Sequence, residues 1–254
     1  MRKKTTYPLL LFLVCASYSS YSQSLLQRLQ KLQQVYSQHF SLIDSTQIRW
    51  KDGSLWQIDD KQVKTHEKRL GKADIQDQLA QNYVKGELKN PPLVNDEAGR
   101  IRCEEFFRKM YGNSPQEVEK NLTTIRWLPK SVNIPLKVTT INNVHLRLQA
   151  VAAELEALPK HLHHYFDQPA GTYYWRTIAG TNRLSTHSFG IAIDINVKFS
   201  DYWQWSKPND KGIPYKNRIP YEIVAIFEKH GFIWGGKWYH YDTMHFEFRP
   251  ELLW

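Results

Sequence analysis

Two short stretches hold the side chains with chemistry to offer: Ser185-Thr-His187-Ser-Phe-Gly190-Ile-Ala192-Ile-Asp194 and Asp242-Thr-Met-His245. Together they supply two imidazoles and a carboxylate, His187, Asp194 and His245, enough to hold one divalent ion. A second carboxylate, Asp242, is left over to move a proton. Three protein ligands leave one coordination position for water, the arrangement of catalytic rather than structural zinc. If the two stretches meet in space, they support metal-assisted hydrolysis.

Strand alternation says how they can meet. Read as a strand, Gly190–Val197 sends Ile191, Ile193, Ile195 and Val197 to one face, and Ala192, Asp194 and Asn196 to the other. Asp194 then leaves the apolar face, and His187 returns towards it through the tight approach that Gly190 allows. In Met244–Phe248 the pattern repeats, with Met244, Phe246 and Phe248 in the core and His245 and Glu247 on the polar face. Asp242 is three residues before His245, on the opposite face of any unbroken strand. The chain must therefore turn or bulge between them. Glu247 is the rival general base; its alternative role is to orient a ligand histidine or to pair with Arg249. Arg176, just before the Gly180-Thr turn, is a cation for an oxyanion or a structural ion pair. Trp203, Trp205, Trp234 and Trp238 are either core or the wall of a groove that contacts sugar or peptide.

The signature Ser185-x-His187-x-x-Gly190-x-Ala192-x-Asp194, then Asp242-x-x-His245, resembles the zinc D-alanyl-D-alanine carboxypeptidase family, peptidase family M15. That family also contains bacteriophage L-alanyl-D-glutamate endopeptidases. Flanking matches are Arg176-x-Ile-x-Gly180-Thr-x-Arg-Leu184 and Trp234-Gly-Gly-Lys-Trp238, and the resemblance covers 123–252. It implies one Zn2+ per chain on His187, Asp194 and His245, with Asp242 as base. It also implies that Ser185 hydrogen-bonds the substrate's carboxylate, capping a turn being its other role. Many members carry Glu where this chain has Asp242, which in this respect is closer to the endolysin branch. The activity implied is hydrolysis of peptidoglycan stem peptides, at a terminal D-alanine or nearer the glycan. A zinc-containing wall-binding or scaffold protein without turnover is the alternative, and an intact Asp242 weighs against it.

The elements that must position these residues are mixed. Leu25, Leu26, Leu29, Leu32, Val35, Tyr36 and Phe40 recur at helical spacing. Gln47–Trp50 and Ser54–Ile58 flank Lys51-Asp52-Gly53 as a hairpin. Helices are predicted around 75–83 and 97–111, and at Ser114-Pro115-Gln-Glu117, a capping box with proline at the first helical position. From Thr123 the character changes. Strands over 124–128 and 135–139 precede a long helix from Asn142 or Asn143 to Leu158, stopped by Pro159. Two strands are expected in 173–197, a helix over Tyr221–His230 closed by Gly231, then the last strands. The reading is α+β: a small antiparallel sheet with flanking helices carrying a zinc cleft, preceded by a mostly helical extension. The expected division is a signal peptide over 1–22, the helical region over 23–122 and the peptidase domain over 123–254. His161, His163 and His164 read as a solvent-facing helix end rather than a metal tract.

Residues 1–22 have a leader's form, with cations Arg2-Lys3-Lys4, an apolar run and small residues before Gln23. The run is far short of the ~20 residues that span a bilayer, so no stable membrane insertion is expected after cleavage. Export to a periplasm or extracellular space follows as an expectation. With Cys15 removed, Cys103 is left without a disulfide partner and reads as a small buried hydrophobe. Nine Trp, fourteen Tyr and eleven Phe exclude the disordered class. The net charge of +9 favours an anionic partner, and no basic run points to nucleic acid.

Overall fold

A computed structural model describes residues 25–210 and 212–254. The leader expected over 1–22, its cleavage site and Cys15 lie outside them. The described chain is α+β, with antiparallel sheets and helices, and divides after Ile58 into two compact units. No helix among the described residues is long and apolar enough to cross a membrane.

In the first unit a helix, α1 (25–36), buries Leu29, Leu32 and Tyr36. Phe40, expected on the same helical face, instead opens a strand, because the helix stops at the polar Ser37-Gln-His39 turn. This strand, β1 (Phe40–Leu42), pairs with β2 (Gln47–Trp50), which pairs in turn with β3 (Leu55–Gln57). The β2–β3 turn falls at Lys51–Gly53 as the sequence predicts. Asp52 fastens it by accepting from the Ser54 amide at 3.0 Å and the Ser54 hydroxyl at 2.7 Å.

The second unit begins with two short helices, α2 (His66–Lys72) and α3 (Ile75–Leu79). Asp74 and Asp77 form a reciprocal capping box at the start of α3. Lys64 lies against this helix start with its side chain 1% exposed, 2.9 Å from Asp60, 2.8 Å from Asp74 and 2.6 Å from Asp77. Burial alone would lower the Lys64 pKa, but the three carboxylates hold it above the ordinary lysine range. Lys64→Met would leave those carboxylates facing one another. A loss of about 1–3 kcal/mol is expected in urea unfolding, below the value for a fully buried pair because the aspartates reach solvent.

Residues 97–103, expected to be helical, are not. Gly99 turns the chain at φ 101°, Glu97 buries its carboxylate, and the helix α4 (Glu104–Tyr111) starts only afterwards. In α5 (Pro115–Glu119) Ser114 caps the Glu117 amide, with proline in the first turn. The hairpin β4 (Leu122–Trp127) and β5 (Ile134–Thr139) follows, then α6 (Val144–Glu156) with Val144, Leu148, Val151, Ala152 and Leu155 buried. Neither asparagine caps α6 through its side chain. Both are left-handed, and Asn142 donates instead to the Tyr111 hydroxyl at 2.9 Å.

The last sheet has the order β6 (Ala192–Asp194), β8 (His245–Phe248), β7 (Phe232–Trp234), all antiparallel. One face of β8 carries Phe246, which stacks on Phe227 of helix α7 (Tyr221–Lys229), ring centroids 3.8 Å apart. That face belongs to the core. Of the two strands expected in 173–197, only the short β6 forms. The rest is a loop crossed by isolated bridges at Thr177–Leu184 and Gly171–Asp194. Val197, expected on the apolar face, is exposed at the start of a 3-10 turn.

Residues 82–103 are bound to this sheet rather than hanging from it. The Tyr83 hydroxyl donates to Glu228 at 2.7 Å and accepts from the Trp234 amide at 3.0 Å. Lys237 ties Glu228 to the carbonyls of Val84 and Gly86.

Candidate metal centre and active site

Strand register brings two of the expected ligands together. Asp194 on β6 lies directly opposite His245 on β8. Directly paired residues on one face of a sheet have Cβ atoms about 4.5–5.5 Å apart. The His245 Nδ1 is accordingly 2.9 Å from Asp194 Oδ1. One step along the same face, Ala192 faces Glu247, and its small side chain leaves room for the Glu247 carboxylate. That carboxylate stands 3.2 Å from the other nitrogen of His245, Nε2, and accepts from the Thr186 hydroxyl at 2.9 Å.

His187 reaches the pair from outside the sheet. It sits in the 3-10 turn Thr186–Phe189, which Ser185 caps by accepting from the His187 amide at 3.3 Å. Gly190 ends the turn at φ 66°, where an added Cβ would be 2.8 Å from Leu122 and 3.1 Å from the Thr139 amide. The close approach foreseen for Gly190 is thus set by the β4–β5 hairpin. His187 Nδ1 is 2.5 Å from the Thr172 carbonyl, a contact that makes Nδ1 the protonated nitrogen. Its Nε2 then carries the lone pair. This atom is buried without a hydrogen-bond partner and lies 3.2 Å from Asp194 Oδ1.

Asp242 arrives by the turn that its spacing demanded. The His245 amide donates to the Asp242 carbonyl at 3.2 Å, and Asp242–Met244 form a turn before β8 begins. The Asp242 amide donates to the Gly235 carbonyl at 3.0 Å, and a bridge to Tyr202 fixes the strand end. Asp242 Oδ1 is shut from solvent with no hydrogen-bond partner.

Two carboxylates in one pocket are thereby driven apart in acidity. Burial works against the charge on Asp194, but His187 and His245, when they are cationic, hold its pKa well below the usual carboxylate range. For Asp242 burial comes first and the Asp194 charge second, and both push it up, to about 7. One carboxylate stays ionised while the other is poised to exchange a proton near neutrality.

The donor set fits a divalent metal. Ligand atoms of His187, Asp194 and His245 lie within 4.8 Å of one another, and two imidazoles with a carboxylate are a zinc-type set. The unsatisfied Nε2 of His187 is the atom such an ion would satisfy, and Glu247 stands behind His245 as a carboxylate that orients a ligand. Glu247 is itself clamped, 3.0 Å from Arg249, so both roles weighed for it other than base are present.

Other singled-out residues fall on both sides of the pocket wall. Ser185, Arg176, Trp203 and Trp238 line the pocket that holds His187, Asp194, Asp242 and His245. Arg176 is exposed and makes no ion pair among the described residues; its guanidinium reaches only the Thr177 carbonyl, at 3.4 Å. Trp238 is buried beside His245, ring centroids 5.6 Å apart, with its indole N–H unpartnered. Trp234 belongs to the core, donating to the Thr243 carbonyl at 2.9 Å, and Trp205 is exposed away from the pocket lining. His163 folds back onto the Leu158 carbonyl at 2.9 Å, and His164 packs on Tyr165 and Phe199. Sequence reasoning missed the Thr172 carbonyl and the arginines Arg100 and Arg102, which also line the pocket. A backbone carbonyl leaves no trace in side-chain types.

A carboxylate whose pKa burial and Asp194 push up stands beside a metal-type donor set, a combination compatible with hydrolysis. Residues 179–248 match a family model described as D-alanyl-D-alanine carboxypeptidase, of peptidase family M15. The match takes in all three metal-type residues and Asp242, and it supports a peptidase that acts on peptidoglycan. No curated protein and no solved structure matches the chain.

Proposed function

We propose that this protein is an exported, zinc-dependent peptidase that hydrolyses peptidoglycan stem peptides, as a D-alanyl-D-alanine carboxypeptidase or an L-alanyl-D-glutamate endopeptidase. The observation that carries the reading is the unpartnered Asp242 Oδ1 in the same pocket as the His187–Asp194–His245 cluster. A binding protein has no use for a carboxylate oxygen shut from solvent with no partner, since leaving one costs stability.

His187 Nε2, Asp194 and His245 Nδ1 would hold the zinc. When bound it supplies a Lewis acid and brings the pKa of water near neutrality. Asp242 takes the proton of the attacking water and returns it to the leaving amine, a task suited to its raised pKa. Arg176 at the pocket wall meets the negative charge that grows on the scissile carbonyl oxygen. Thr172 and Glu247 fix the ring orientations of His187 and His245. Ser185 and Trp238 contact the bound peptide.

The test is incubation of the purified mature protein with muropeptides, with and without chelator, and identification of products by mass. Loss of terminal alanine selects the carboxypeptidase, and release of peptide from an L-alanine-linked glycan selects the endopeptidase. Turnover that chelation does not touch, or no product from any wall peptide, would reject the reading.

A further inference from the structure

The pocket is electrically lopsided. Its metal-type end carries Asp194, Asp242 and Glu247, while Arg100, Arg102, Arg176 and Arg183 form the rest of its charged wall. Two of these arginines come from the 97–103 segment, which precedes the family match at 179–248.

Apart from Asp242, whose Oδ1 has no hydrogen-bond partner, the acids near this wall are already engaged. Glu97 sits 2.8 Å from Arg100 and also holds His240. Glu104 accepts from the Leu184 amide at 2.8 Å and pairs with Arg108 at 2.9 Å. Glu247 is taken by Arg249, Thr186 and His245. Arg183 donates to the Arg100 carbonyl and Arg102 to the Leu184 carbonyl. Neither makes an ion pair among the described residues, and Arg102, only 4% exposed, keeps its Nε without any hydrogen-bond partner. Burial first, then the neighbouring charges of Arg102 and Arg100, pull the Arg183 pKa down to about 9, against the opposing pull of Glu104 and Glu247. Burying an arginine with an unused donor is unfavourable unless something binds there.

We infer that Arg102, assisted by Arg100 and Arg183, is an anchor for a carboxylate of the substrate, so that the segment before the family-matched region sets which peptides are accepted. This rests on the peptidase reading and narrows it: the substrate is an anionic peptide whose carboxylate lies across the pocket from Asp242. A guanidinium matches a carboxylate through paired N–H donors, which gives geometry as well as attraction. The carboxylate can be the peptide's C-terminus or a side chain along it.

Three probes separate these sources: a synthetic stem peptide with free carboxylates, the same peptide amidated at its C-terminus, and the same peptide amidated on its side chains. Each is titrated by calorimetry into zinc-loaded Asp242→Asn protein, in which turnover is blocked. One of the two amidations is expected to weaken binding by about 10- to 100-fold, identifying the anchored group. Adding Arg102→Gln should remove that discrimination, with the free and amidated peptides then binding within a few-fold of each other. Arg102→Lys should restore only part of it. Arg100→Gln, at a partly exposed position, should reduce it without touching the Arg102–Leu184 bond, and so serves if Arg102→Gln does not fold. Equal binding of all three peptides, no binding of any, or full discrimination in both Gln variants would overturn the anchor. Failure of the peptidase reading looks different: wild-type protein would then discriminate among the peptides yet cleave none of them.

Discussion

Asp242→Asn is expected to lower kcat on a muropeptide substrate by roughly 10²–10⁴-fold while zinc content stays at that of the wild type. Asparagine keeps the shape and the turn, since the structural contacts of this residue run through its backbone: the amide to Gly235 and the carbonyl to the His245 amide. What it loses is the ability to take a proton. Because no side-chain bond of Oδ1 is broken, folding should be unaffected. The amide removes a negative charge next to Asp194, but none of the three metal-type residues is lost, so metal affinity should change far less than turnover. By contrast, His187→Ala should cost metal and turnover together, because it deletes the bare Nε2. Metal content by elemental analysis and turnover by product mass separate the two outcomes. An Asn variant that keeps full kcat would show that Asp242 is not the base.

How the residues of this prediction come together was partly legible in the sequence. Alternation placed Asp194 and His245 off the apolar faces, and the register Asp194–His245 turns that placement into contact. The three-residue gap from Asp242 to His245 demanded a turn, and the turn is there. The same alternation overreached at Val197, because the strand stops at Asp194 and the chain leaves the sheet. Periodicity reports what a segment does while it stays regular and is silent about where it ends.

Other failures share one physical cause. Phe40 and the 97–103 segment both fit a helical pattern by residue type, yet Phe40 is in a strand and 97–103 is a turn and loop, because tertiary partners hold them. Phe40 packs edge-on against Trp50, ring centroids 5.5 Å apart. Residues 97–103 are fixed by buried pairs to His240 and the Leu184 carbonyl, both distant in sequence. Gly99 presses so near the sheet that an added Cβ would be 2.6 Å from Ile233 and 2.8 Å from Glu247. Contacts of that range cannot be seen in local composition, and they are how the arginines reach the pocket.

The second large effect is expected at Arg249, which joins that segment to the metal-type cluster. Arg249 is fully buried, 3.0 Å from Glu247, 2.6 Å from Glu251 and 3.2 Å from the Gly99 carbonyl. Arg249→Met would fill much of the space but take from two buried carboxylates the cation they share. Breaking a buried pair in this way costs about 3–5 kcal/mol, enough to shift the folding equilibrium by about two to four orders of magnitude. The pH dependence has a definite sign. Burial alone would raise the Glu247 pKa, but the bond to His245 and the charge of Arg249 hold it at about 2, below its ordinary 4.5. A depressed carboxylate contributes stability above its unfolded value and loses it as pH falls through the folded one. In Arg249→Met that pKa rises, so the gap between wild type and variant should be widest near neutrality and narrow as pH falls from 4.5 towards 2. Urea unfolding across that range measures it. Adding Glu247→Gln to Arg249→Met should recover part of the loss, since a neutral amide no longer needs the cation. A gap that stays constant with pH, or a double variant no more stable than the single one, would mean that Arg249 acts by packing on Phe107, 4.9 Å from its guanidinium, and not by charge.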